Sequence, residues 1–91
     1  MKVRIPEDVH CEQVDEEAVL LNLASGLYFG LDPVGARLWS LLADLGSTEA
    51  TAAAALEEYD VDREQLERDV LAFVHTLAEH ELVQLDDAPR G

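Results

Sequence analysis

The chain has 91 residues, with 6 Lys plus Arg against 20 Asp plus Glu, a formal net charge of −14, and 48% hydrophobic residues. These figures indicate one small acidic domain with a single modest core, because a chain of this size buries only about 60 to 65% of its unfolded surface. They argue against binding to DNA, RNA or anionic lipid, since such binding depends on clustered Lys and Arg that neutralise phosphates.

The sequence contains no segment typical of a membrane span or a secretory signal. The longest uncharged apolar stretch, Ala18 to Leu31, is interrupted by polar residues and glycines and is shorter than the ~20 residues that a membrane helix needs. The N-terminus lacks an apolar signal segment, and the single Cys11 cannot form an internal disulfide. We therefore expect a cytoplasmic protein with no membrane partner.

The first third of the chain is predicted to form strands. Two apolar runs, Ala18 to Leu23 and Leu27 to Leu31, flank a short loop that ends in Gly26, a pattern typical of a hairpin whose glycine is left-handed. Apolar and polar residues alternate over Val9 to Val14, which we expect to be the third strand. A short additional pairing is expected for Val3 to Ile5.

The first predicted helix has clear start and stop signals. Asp32 is a good N-cap and Pro33 is suited to the first helical position, while Gly46 is typical of a C-terminal stop. Apolar residues recur between them at helical spacing, at Val34, Leu38, Leu41, Leu42 and Leu45.

Two further helices and a short strand are predicted to follow. An alanine-rich helix is capped by Ser47 or Thr48 and ends near Tyr59, and an approximate capping box at Asp62 opens a third helix that reaches about His80. A short strand at 82–85 and a flexible tail from residue 85 or 86 to 91 complete the chain. The predicted fold is therefore a single α+β domain: a three-stranded antiparallel sheet followed by three helices, similar to a winged helix-turn-helix.

The third predicted helix has a wider apolar face than packing on one side requires. Its apolar arc is about 160° wide, whereas roughly 100° suffices for one-sided packing. One stripe is assigned to the core, namely Leu66, Val70, Phe73 and Leu77, with Val70 also bordering the second stripe. The second stripe is Leu71, Val74 and Ala78. Either the hairpin or the first helix covers this second stripe, or it lines a groove open to a partner.

The strand Leu27 to Leu31 is predicted to be an edge strand without the usual protection. It has no Lys, Pro or bulge in its interior, and Gly30 allows another backbone to approach closely. An open edge beside a surplus apolar helix face is suited to strand addition by an extended peptide. The alternative is that the N-terminus of the chain itself covers this edge.

No catalytic or metal-binding constellation is predicted. His10 and Cys11 are adjacent in a strand and so point to opposite faces, while His75 and His80 are five residues apart on a helix. The sequence contains no nucleophile and base signature and no phosphate-binding glycine loop. We therefore expect a protein that is not an enzyme and needs no cofactor or metal.

Four segments of the sequence together resemble the PqqD-like peptide-recognition domains of pathways that modify ribosomally made peptides. They are the strand AVLLNL from Ala18, GLYFGL from Gly26, LDPVG from Leu31 and YDVD from Tyr59, and the likeness covers about residues 9–85. The chain is most similar to the small stand-alone proteins of lasso peptide biosynthesis. In that branch the helix usually starts with Leu-Asn-Pro-Thr-Gly instead of LDPVG.

The resemblance implies a non-catalytic adaptor that binds the leader of a precursor peptide and presents it to a leader peptidase and a cyclase. In that family the leader adds a strand to the sheet and places apolar anchors against the third helix. By position, these elements are Leu27 to Leu31 and Arg63 to His80. Together with the edge and the surplus stripe, this predicts peptide contacts at Leu27, Tyr28, Phe29, Gly30, Leu31, Glu67, Val70, Leu71, Val74 and Ala78. Glu67 belongs to an acidic flank, with Glu64 and Asp69, expected to favour leaders that carry Lys or Arg.

Other functions remain open at this point. A chaperone of the same family could serve pyrroloquinoline quinone or another modified peptide. A winged-helix DNA-binding protein is disfavoured by the net charge of −14, and a general protein-interaction domain is a further alternative.

Overall fold

The chain folds as an α+β domain in which a three-stranded antiparallel sheet precedes three helices, as predicted. The computed structural model describes residues 1–86. Its strands are β1 (Lys2–Arg4), β2 (Val9–Val14), β3 (Glu17–Asn22), β4 (Leu27–Leu31) and β5 (Gln84–Asp86). Its helices are α1 (Pro33–Leu45), α2 (Thr48–Leu56) and α3 (Arg63–Glu79). The main sheet has the order β2-β3-β4, and β1 pairs with β5 in a separate two-stranded sheet.

The register of the β3–β4 hairpin determines which side chains face the core. Ala18 lies opposite Leu31 and Leu20 lies opposite Phe29, and these side chains face the helices. The loop has four residues instead of the predicted three, because the Asn22 side chain accepts hydrogen bonds from the amides of the second and third loop residues. Gly26 closes the loop with the predicted left-handed conformation, at φ 78°.

The start and end of α1 agree with the predicted caps. The Asp32 carboxylate accepts a hydrogen bond from the Gly35 amide at 2.7 Å, and Pro33 is the first helical residue. Gly46 has φ 69° and its amide donates to the carbonyl of Leu42, which ends the helix.

The other two helices depart from the prediction at one end each. The predicted end of α2 near Tyr59 is three residues too late, because the regular helix ends at Leu56 and the Glu57 and Glu58 amides then make the tighter i to i−3 bonds, to the Ala54 and Ala55 carbonyls. The capping box at the start of α3 is also wrong: the Asp62 side chain makes no capping bond, and Gln65 donates to Asp69 instead.

The N-terminal strand packs away from the main sheet. β1 pairs with β5, where Val3 lies opposite Leu85, and the Val3 amide also donates to the carbonyl of Gly46. The predicted flexible tail is therefore wrong for Leu85 and Asp86, which belong to β5. The rest of that tail lies outside the described residues.

The core lies between the sheet and α3. Leu20 of β3 and Leu42 of α1 pack with Val74 and Leu77 of α3, and a second cluster joins α1, α2 and the first half of α3. None of the helices within residues 1–86 is long and apolar enough to cross a membrane.

Candidate functional site

An open groove runs between β4 and α3. It has a volume of about 520 Å³. Its residues are Phe29, Gly30 and Leu31 of β4, Asp32, Val34, Gly35 and Leu38 at the start of α1, and Asp69 and Phe73 of α3. Seven of these residues are apolar or glycine, so the groove can hold apolar side chains of a bound chain.

The first wall of the groove is a sheet edge, as predicted. In the part of the chain that is described, β4 pairs with β3 alone, while β1 pairs with β5 and leaves this edge uncovered. Alternate residues of an antiparallel edge strand direct their N–H and C=O groups away from the sheet. The sheet face at Gly30 is also open, because a Cβ atom at this residue, which would project from the face of the sheet, would meet nothing within 4 Å.

The second wall is one face of α3, which runs in the direction opposite to β4. Asp69 and Phe73 lie beside the Leu31 end of β4. Directly after the end of α3, the ring of His80 contacts the ring of Phe29, with centroids 4.9 Å apart and planes tilted by 53°. The side of α3 that faces β4 therefore contains Asp69 and Phe73, and His80 continues it at the C-cap.

A buried amide joins the β3–β4 hairpin to the chain that follows α3, outside the residues that line the groove. The Asn22 side chain is 5% exposed and donates a hydrogen bond from Nδ2 to the Glu81 carbonyl at 2.8 Å. Glu81 follows the C-terminus of α3 and has a left-handed backbone conformation, at φ 60°. This contact ties the β3–β4 hairpin to the end of the helix.

The structure separates the α3 residues that we predicted to contact a peptide. Val70 and Val74 are both 0% exposed and lie in the core, so the prediction that Val74 lies on an open stripe is wrong. Glu67 and Leu71 line a different cavity, between α2 and α3. Ala78 borders a third surface, near Asn22 and the N-terminal segment.

The β4 residues were placed correctly at the edge, but they divide between two faces. Phe29, Gly30 and Leu31 line the groove. Leu27 is 58% exposed near the hairpin turn. Tyr28 is 76% exposed on the outer face of the sheet, because side chains alternate along a strand.

Sequence reasoning named Asp69 in an acidic flank and Phe73 in the core stripe, but it included neither among the peptide contacts, for a geometric reason. An apolar arc on a helix has two flanks, and the prediction chose the flank of Leu71. In the structure, β4 lies on the opposite flank. The spacing of Asp69, Phe73 and His80 marks this stripe in the sequence, but helical periodicity alone does not say which flank faces the sheet.

The site offers hydrogen-bonding groups and apolar surface for an extended chain. Its two charged side chains are Asp32 and Asp69. Asp32 caps α1, and Asp69 accepts a hydrogen bond from Gln65 Nε2 at 2.8 Å. Within residues 1–86, no group of three or more His, Cys, Asp or Glu residues is placed to hold a metal ion.

Comparisons with known proteins agree with this geometry. The family model "Coenzyme PQQ synthesis protein D (PqqD)" matches residues 17–83. The solved structure of TbiB1 in complex with the TbiA(beta) leader peptide is 41% identical, with a TM-score of 0.84 over 96% of this chain and 99% of that chain. A lasso peptide synthetase B1 complexed with the leader peptide is 30% identical, with a TM-score of 0.82 over 93% of this chain and 100% of that chain. None of the curated proteins compared with the chain matches it.

Proposed function

The chain belongs to the PqqD family, and from this premise we propose that it binds the leader segment of a ribosomally made precursor peptide in lasso peptide biosynthesis. The observation that carries this proposal is the unpaired edge of β4 beside the apolar groove. The two similar solved structures, which are 41% and 30% identical, are both complexes with leader peptides.

The proposed binding mode is strand addition to β4. The leader backbone pairs with the free N–H and C=O groups of Leu27 to Leu31, which supplies affinity that depends little on sequence. Side chains of the added strand alternate, so every second one enters the groove beside Phe73. The others lie on the outer face of the sheet, on the side of Tyr28.

We further propose that the protein is an adaptor without catalytic activity, and that it presents the bound leader to a leader peptidase and a cyclase. The groove supports this role, because Asp32 and Asp69 are its polar side chains and neither is paired with a nucleophile. Incubating the precursor with this protein alone should leave the peptide intact. Adding the peptidase should give cleavage, and specific cleavage by the protein alone contradicts the proposal.

A second candidate within the same family is a chaperone for a precursor of pyrroloquinoline quinone, which the description of the matching family model favours. Neighbouring genes distinguish the two pathways. A short precursor gene, a peptidase gene and an asparagine-synthetase-like gene beside this one support lasso peptide biosynthesis. A DNA-binding role finds no support in the groove, which contains no basic residue.

Calorimetric titration tests the proposed function directly. The first probe is the leader of the precursor whose gene lies beside the gene of this protein. The second probe is the TbiA(beta) leader peptide. We expect saturable binding of one leader per protein molecule for the first probe. An absence of binding by both leaders contradicts the proposed function.

A further inference from the structure

The charged side chains of the groove have one sign. Among the residues that line it, Asp32 and Asp69 carry charge and the remainder are apolar or glycine. Uniform charge beside an apolar site favours a ligand that carries the opposite charge near its apolar side chain.

The two aspartates are not equivalent. Asp32 is committed to the fold, because its carboxylate accepts the Gly35 amide at the start of α1. Asp69 is oriented by Gln65, which donates to it at 2.8 Å and accepts in turn from Arg68 at 3.1 Å.

Asp69 has no cationic partner within the described part of the chain. The ion pairs there join Met1 to Glu49, Arg37 to Glu58 and Arg63 to Glu67. Asp69 therefore presents an oriented carboxylate to the groove, and its charge is available to a bound chain.

The spacing along α3 matches the spacing along a strand. Asp69 precedes Phe73 by four residues, which is a rise of ~6 Å along the helix. Side chains on one face of a strand repeat every two residues, which is about 6.8 Å. A bound strand can therefore place one side chain beside Phe73 and the next groove-facing side chain beside Asp69.

The direction of the bound strand decides the order of these two side chains. The strands of the main sheet pair antiparallel, and an added strand that continues this pattern runs from the Leu31 end of β4 to the Leu27 end. Asp69 lies at the Leu31 end, so its partner precedes the apolar side chain in the peptide.

We propose that Asp69 is a specificity-determining residue: it pairs with a Lys or Arg of the leader, two residues before the apolar side chain that enters beside Phe73. The proposal rests on the proposed leader binding in the same groove. It narrows the predicted acidic flank of Glu64, Glu67 and Asp69 to the one carboxylate that lines the groove, since Glu67 lines a different cavity and pairs with Arg63.

A displayed library of random 12-residue peptides tests this without knowledge of the natural leader. It is selected against the wild type, Asp69→Asn, Asp69→Lys and the control Glu57→Gln. Glu57→Gln removes one negative charge, as Asp69→Asn does. Glu57 is exposed at the end of α2 and lies outside the groove, so its replacement reports the effect of net charge alone. A Gly30→Pro variant is included to report whether the selected peptides use the β4 edge.

The expected result has three parts. The wild type and Glu57→Gln enrich Lys or Arg two residues before a large apolar residue, Asp69→Asn loses this preference, and Asp69→Lys enriches Asp or Glu there. For a peptide selected on the wild type, Asp69→Asn should weaken binding about fivefold at low salt, and less as salt rises, because the pair is partly exposed.

Two kinds of contrary result are distinguishable. In the first, Gly30→Pro changes the selected peptides, but the wild type enriches no basic residue at this spacing, or Asp69→Asn enriches the same basic residue as the wild type. This result overturns the role of Asp69 and leaves leader binding at β4 intact. If no peptide is enriched, or if Gly30→Pro selects the same peptides as the wild type, strand addition at β4 fails, and the role of Asp69 fails with it.

Discussion

Phe73 and Val74 are neighbours on α3 but belong to different surfaces of the molecule. Val74 is 0% exposed between the sheet and α1, whereas Phe73 is only partly buried and borders the groove opposite β4. Successive helical residues are 100° apart, so adjacent positions can separate the core from a binding wall.

This difference predicts that substitution of Phe73 affects mainly leader binding, whereas substitution of Val74 affects mainly folding. Phe73→Ala should weaken leader binding more than tenfold and should cost less stability than the about 3 to 5 kcal/mol of a fully buried Phe. Val74→Asp should unfold the domain, because it buries a carboxylate without a partner. Thermal melts and calorimetric titrations of both variants check the prediction, which fails if Val74→Asp folds or if Phe73→Ala binds as the wild type does.

The hydrogen bond from Asn22 to Glu81 should control both stability and leader affinity. In Asn22→Asp, a carboxylate faces the Glu81 carbonyl, which should cost about 1 to 3 kcal/mol and shift the groove walls. Protonation restores a donor to the carboxyl, so the deficit relative to the wild type should shrink as the pH falls. Denaturant unfolding and leader titration across pH measure this.

A matched control for Asn22 is another buried polar side chain, Thr51. Its hydroxyl has no hydrogen-bond partner among the described residues, so Thr51→Val should be neutral or stabilising. Equal losses in Thr51→Val and Asn22→Asp, or a deficit in Asn22→Asp that does not depend on pH, contradict the assigned role of the Asn22 amide.

The Met1 ammonium group should make part of the stability depend on pH. It hydrogen-bonds to the Glu49 carboxylate, and this interaction lowers the pKa of Glu49 from 4.5 to about 2. Because the pKa is lowered in the folded state, the contribution is present above pH 4.5 and is lost as the pH falls towards 2. The pair is exposed, so the effect is small.

The pH dependence of Glu49→Gln tests this linkage in a chain whose Met1 amino group is free. The wild type should melt at a higher temperature than Glu49→Gln at pH 7, and the difference should close as the pH falls below 4.5. Glu57→Gln is the control for loss of one exposed carboxylate. A difference that stays constant down to pH 2.5 contradicts the interaction between Met1 and Glu49.

Local signals explain why the sequence predicted α1 and the β4 edge well. Asp32, Pro33 and Gly46 act on their immediate neighbours, so the helix bounds follow from residues a few positions apart. The hairpin of β3 and β4 is also local, and the order β2-β3-β4 follows from short connections.

The position of the groove was not predictable from local patterns, because it depends on contacts between residues that are distant in the sequence. Which flank of α3 faces β4 is decided by the packing of α3 against β3 and α1, and the pairing of β1 with β5 joins the two ends of the domain. Neither relationship has a local pattern. The sequence therefore predicted a binding helix but assigned Val74 instead of Phe73 to its open face.

Gly30 provides a matched pair of variants for the edge. Gly30→Pro removes the Gly30 amide and places a ring at the edge, so it should reduce leader affinity more than tenfold. Gly30→Ala keeps the amide, and its Cβ meets nothing within 4 Å in the free protein, so it should reduce leader affinity much less than Gly30→Pro does. Circular dichroism verifies that both variants fold. Equal affinities of folded Gly30→Pro and Gly30→Ala contradict backbone pairing at this residue.

Amide hydrogen exchange, measured by NMR with and without leader peptide, tests strand addition most directly. The sheet contains its own control, because β2 and β4 are its two edges. We predict that alternate amides of Leu27 to Leu31 exchange more slowly when the leader is bound, while the edge amides of Val9 to Val14 are unchanged. Protection confined to β2, or unchanged exchange along β4 at saturating leader, contradicts the account.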